Sequence, residues 1–106
     1  MIAGQEKPTP YAELLATMCT TYENKNTDYG NSFDQSCNEF GLISPAIRMS
    51  DKLNRFKTLI KHQQMGVEQM VKNEKIEDTL IDLANYALMT VLWIRNENKR
   101  KESLGV

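Results

Sequence analysis

The chain has 106 residues, with 13 Lys plus Arg against 14 Asp plus Glu and a net charge of −1. That length fits one domain, residues 1–106, whose core a partner copy would complete, and the balanced charge excludes a molecule-wide field that recruits nucleic acid, so no sequence-specific nucleic-acid partner is expected. Cys19 and Cys37 share no zinc-site spacing and are too few for a disulfide scaffold, which predicts reduced thiols in a cytoplasm.

Thr9 before Pro10 is a helix-start signature, because the hydroxyl caps free amides and proline at the first position loses no hydrogen bond. Tyr11, Leu14, Leu15, Met18 and Tyr22 then share one face, predicting a helix from Pro10 to about Asn24. The polar run KNTDYGN reads as a loop. Ser32 with Gln35 three positions on forms a capping-box pattern, Phe33, Cys37 and Phe40 supply an apolar side, and Gly41 is a stop, so a short second helix follows.

Ser44 and Pro45 repeat the cap-then-proline device, and Met49, Leu53, Phe56 and Ile60 continue an amphipathic third helix up to Gly66. Met65 to Asn73 is polar enough for a connection, and Asn73 can cap a last helix running to roughly Asn98. Its apolar run Ala87 to Ile94 is far short of the ~20 residues that span a bilayer, so no membrane partner is expected. The charged tail, about 96–106, reads as a solvated and loosely ordered end. With no strand pattern, the class is all-α, a small antiparallel bundle of about four helices.

On the last helix Ile76, Leu80, Leu83, Ala87, Val91 and Ile94 trace the expected core stripe, widened by Ala84, Leu88 and Leu92. So wide a stripe implies burial from more than one direction. Beside it runs a polar line, Asp78, Asp82, Asn85 and Tyr86. Two carboxylates a turn apart repel, so something positive must face them. The third helix offers Arg48, Asp51, Lys52 and Arg55, a charged line beside its own apolar stripe. If the two helices pack antiparallel, the lines meet in one cleft.

That cleft supports three uses. Asp51, Asp78 and Asp82 as ligands of Mg²⁺ or Mn²⁺, with Glu77 or Glu74 as base, would serve phosphate hydrolysis. Arg48, Lys52 and Arg55 as anion partners, with Asn85 and the aspartates as hydrogen-bonding groups and Tyr29 or Tyr86 as a stacking ring, would serve nucleotide binding without turnover. Salt bridges from Asp78 and Asp82 to Arg48 and Arg55, fixing helix register alone, account for the same spacing. Lys25, Asp28 and Tyr29 are equally readable as turn residues or as ligand contacts.

The blocks KNTDYG, AIRMSDKLNRFKTLI and IEDTLIDLANYALM, in that order from Lys25 to Met89, resemble the nucleotide modification associated domain 1 family of phages and bacteria. That family is in turn similar to the MazG-like all-α nucleotide pyrophosphohydrolases. The resemblance implies a helical homo-oligomer in the cytoplasm of a host cell, a nucleotide ligand and Mg²⁺ held by carboxylates of two helices. The departures matter, because the MazG-like pattern has two acidic pairs. Asp82 stands in place of the final aspartate, with Thr79 three positions before it, and Asp51 has Arg48 three before it. Fewer carboxylates and more cations favour holding an anion over activating water. The expectation is therefore a nucleotide-binding protein, and by analogy with the phage setting of the family it is one that can sequester a nucleotide or nucleotide signal, for example in counter-defence. In the alternative, a Mg²⁺-dependent pyrophosphohydrolase, Glu77 and Asp82 would be catalytic.

Overall fold

The computed structural model describes residues 7–29, 31–66 and 73–105, with backbone alone at 25–29, 73 and 74. Among them are four α-helices and no strand: α1 Pro10–Tyr29, α2 Ser32–Phe40, α3 Ile43–Gln64 and α4 Asn73–Ser103. The all-α expectation holds. Chain contacts divide the protein into two compact units, Met1–Asn31 and Ser32–Val106. No helix among the described residues is long and apolar enough to cross a membrane.

The first unit contains α1. Thr9 caps it as expected, its Oγ1 accepting a hydrogen bond from the Ala12 amide at 3.1 Å. Thr17 and Thr20 return their hydroxyls to the carbonyls of Glu13 and Ala16, which lets two poor helix formers sit in the interior without unpaired polar groups. The run KNTDYGN, expected as a loop, is instead helical as far as Tyr29. None of Lys25 to Tyr29 is Gly or Pro, each costs at most ~0.7 kcal/mol in a helix, and extension adds one hydrogen bond per residue once the helix exists. Beyond α1, Asn31 takes the left-handed φ of 63°, which a short amide side chain tolerates.

The second unit contains α2, α3 and α4. Gly41 ends α2 with φ 74° and donates its amide to the Cys37 carbonyl at 2.8 Å. The α3 start differs from expectation: Leu42 occupies the cap position and makes no side-chain cap bond, so Ser44 lies inside the helix. Pro45 still falls within the first turn, where an amide would have no intrahelical partner, and its ring is fully buried. Gly66 terminates the last turn at φ 79°, as expected. Most of the connection expected at Met65 to Asn73 lies outside the described residues.

The C-terminal tail corrects the expectation of a loose end, because α4 continues to Ser103. Lys99, Arg100, Lys101 and Glu102 are good helix formers, the three cations complement the carbonyl end of the dipole, and Glu97 pairs with Arg100 one turn on at 2.8 Å. The Arg100 guanidinium holds the Glu97 carboxyl below its usual value.

A second correction concerns which side of α4 is covered. Thr79 is buried, and Asp82, Tyr86, Met89, Thr90, Trp93 and Glu97 are half-buried. At about 100° per residue these seven lie within one side of the helix. Of the expected core stripe Ile76, Leu83 and Ala84 are half-buried, and the remainder is exposed, with Leu80 at 39%, Val91 at 44% and Ile94 at 38%. That stripe is turned roughly a quarter-turn or more from the covered side. Periodicity located an apolar face, and α2 and α3 cover the neighbouring, more polar one. The polar groups there are paired: Thr79 donates its hydroxyl to the Lys75 carbonyl at 2.9 Å, and Thr90 does the same to Tyr86 at 2.6 Å. Buried hydroxyls so satisfied cost little.

Candidate functional site

Two contacts seat α2 on α4. The rings of Phe33 and Tyr86 stack with centroids 6.3 Å apart and planes 27° apart, an offset arrangement that suits aromatic quadrupoles. Trp93 donates its indole Nε1–H to Asn38 Oδ1 at 3.0 Å. The two pairs advance together along the chain, so α2 and α4 run in the same direction. Cys37 is buried on α2, and desolvation, then the charge of Asp34, push its thiol above the usual value.

The charged lines of α3 and α4 meet as expected, at one point. Lys52 Nζ donates to Asp82 Oδ2 at 3.1 Å, with side chains 30% and 32% exposed. The sequence left the counter-charge open among three cations, and the structure assigns Lys52. An antiparallel register through this pair brings Arg55 level with Thr79 and Arg48 level with Tyr86, each one residue along the axis from Asp78 and Asn85, which lie on the same flank of α4 as Asp82. Arg48, Asp51, Arg55 and Asp78 are exposed, and Asn85 is half-buried. Among the described residues the ion pairs are Lys52 with Asp82 and Glu97 with Arg100, so Arg48 and Arg55 keep their guanidinium donors available.

Other expected site residues are not gathered there. Glu77 is exposed and lies about 140° round the α4 axis from Asp82, on a different side. Lys25, Asp28 and Tyr29 have backbone in α1, but their side chains lie outside the described residues. Tyr86 has Phe33 against its ring, which leaves at most one face for stacking. Thr79, three positions before Asp82, is 4% exposed and bound to its own helix, so a charged replacement there would be buried without a partner.

Among the described residues no three Asp, Glu, His or Cys side chains form a group able to hold a metal ion. Asp82 already meets the Lys52 ammonium, the cation that a divalent ion would have to displace. As placed within one chain, Asp51, Asp78 and Asp82 do not fit the oxygen cage that Mg²⁺ requires. The arrangement can do something simpler: it offers two guanidinium forks beside a neutralised Lys–Asp pair, with an amide and a carboxylate at the same level.

Sequence reasoning missed Phe33 as the neighbour of Tyr86 and the Asn38–Trp93 bond. Both are single contacts between helices, and neither leaves a periodic signal. Comparison with curated proteins and with solved structures found no match. The family model described as nucleotide modification associated domain 1 matches residues 25–94, a span that takes in α2, α3, the Lys52–Asp82 pair and most of α4. By that match the chain belongs to the nucleotide modification associated domain 1 family.

Proposed function

We propose that the second unit binds an anionic, nucleotide-type ligand along the α3–α4 flank. In this reading Arg48 and Arg55 take the phosphate oxygens, while Asn85 and Asp78 hydrogen-bond base or ribose groups. The carrying observation is that both arginines are exposed and have no ion-pair partner among the described residues, one turn to either side of a Lys52 already engaged with Asp82. A planar guanidinium matches a phosphate with two parallel N–H donors, and the pair could clamp one phosphate or two in series. The family description, which concerns nucleotide modification, agrees in substrate class.

Titration calorimetry with nucleoside mono-, di- and triphosphates tests this, with and without Mg²⁺. Binding is expected for at least one class, and Arg55→Ala and Arg48→Ala should each weaken it at least about tenfold, because a charge-assisted hydrogen bond carries ~1.5–3 kcal/mol. Their unfolding midpoints should stay unchanged, since both side chains are exposed. Full affinity in both variants would defeat the assignment. Cleavage of the nucleotide in Mg²⁺, abolished by Asp82→Asn, would replace the binding reading with the hydrolytic one.

A further inference from the structure

The α3–α4 flank has two unlike ends. In the register set by Lys52 and Asp82, Arg48 and Asn85 stand near one level and Arg55 and Asp78 near another. Seven residues separate the two levels on either helix, about two turns or ~10.5 Å. The Lys52–Asp82 pair lies between them with its charges matched. At the first end a guanidinium stands beside a neutral amide, and at the second beside a carboxylate. Asp78 is exposed and has no ion pair among the described residues, so both of its oxygens can accept hydrogen bonds from a ligand.

That inequality orients a nucleotide. Phosphate oxygens are acceptors with negative charge, so Asp78 repels them and the phosphates lie toward Arg48. The base then falls at the Asp78 end, while Arg55 reaches the phosphate nearest the nucleoside and offsets the charge of the carboxylate. Asn85, two turns further along α4, is out of reach of the same base edge. An ionised carboxylate accepts and never donates, so the edge it reads must present donors. Adenine and cytosine set their amino group beside a ring-nitrogen acceptor, and uracil and thymine place one N–H between two carbonyls. Guanine alone among the common bases sets two donors side by side, its N1–H and its 2-amino group, matching the two oxygens of a carboxylate.

We infer that, given the nucleotide binding proposed above, the flank selects guanine, with Asp78 accepting from N1–H and the 2-amino group and the phosphates lying toward Arg48. Asp82 is engaged by Lys52 and Glu77 lies on a different side of α4, so neither takes this role. Asp51 is on α3, three residues after Arg48 and four before Arg55, so its charge acts on both arginines and on the phosphates of any nucleotide alike.

Titration calorimetry of the full chain in EDTA, with the 5′-triphosphates of guanosine, inosine, adenosine and xanthosine, tests this. These ligands differ only in the base. GTP is expected to bind about tenfold more tightly than ATP, the worth of one bidentate pair in an exposed site, and ITP, which lacks the 2-amino group, to fall between them. Asp78→Asn should abolish the preference for GTP and turn it toward XTP, because the new amide donates to the 2-oxo group and accepts from N1–H. Circular dichroism should show unchanged helicity, since Asp78 is exposed. Asp51→Asn should move all four affinities by the same factor. Equal binding of all four, a preference for ATP, or a guanine preference that survives Asp78→Asn or is lost in Asp51→Asn would overturn the base assignment while leaving nucleotide binding in place. Binding of none of the four would overturn both.

Discussion

Lys52 of α3 and Asp82 of α4 form a 3.1 Å ion pair at the edge of the helix packing, each about a third exposed. Solvent screens part of that attraction, so the pair contributes to register more than to stability. In a double-mutant cycle of Lys52→Met and Asp82→Asn, we expect a coupling energy of ~0.5–1 kcal/mol by urea denaturation, taken at one protein concentration. Removing Lys52 alone should cost more than removing both partners, because it takes the ammonium away from a half-buried carboxylate that stays charged. Zero coupling would show that the pair is incidental to packing.

Trp93 reports on whether α2 is seated. It is the single tryptophan of the chain, and its indole N–H is bound to Asn38. We expect Asn38→Ala to cost ~0.5–1.5 kcal/mol and to shift the fluorescence maximum, while helicity measured by circular dichroism stays constant. A spectrum identical to wild type would mean that the indole has no such partner in solution.

These contacts mark where sequence reasoning stops. Thr9, Gly41 and Gly66 were readable because a cap or a positive φ is a local demand that few residue types meet. The meeting of the charged lines was readable as well, since Asp82 within an apolar segment requires a counter-charge on a facing helix. The extensions of α1 through Tyr29 and α4 through Ser103 were not, because ordinary polar residues differ by only tenths of a kcal/mol in helix preference. Nor was the covered side of α4. An apolar stripe shows that something covers a helix face, without showing whether the cover is the same chain, and here Asp82 and Trp93 take the side toward α2 and α3, where their polar atoms find partners, while Thr79 is buried with its hydroxyl returned to its own helix.

Gly41 joins α2 to α3 at φ 74°, with nothing within 4 Å of where a Cβ would stand. The space is open, so the cost of Gly41→Ala is conformational. It should destabilise the protein by about 1–2 kcal/mol, and Gly41→Asn by less, since asparagine visits the left-handed region more readily. Equal stability of the two variants in chemical denaturation would contradict a left-handed turn at this position.

The end of α4 should respond to acid. Glu97 accepts a hydrogen bond from Arg100, which holds its carboxyl below the usual 4.5. A group whose pKa is depressed in the folded state contributes stability above its unfolded value and loses it as pH falls through the lower folded value. The last two turns are therefore expected to be helical at neutral pH and to fray as the pH drops below about 4.5, an effect read as faster amide exchange at residues 98–103 after correction for the intrinsic rate. Glu97→Gln should remove most of this pH dependence, since it abolishes the titrating group while keeping a side-chain acceptor. Unchanged protection of those amides in acid, or the same acid fraying in Glu97→Gln, would show that the pair does not hold the helix end.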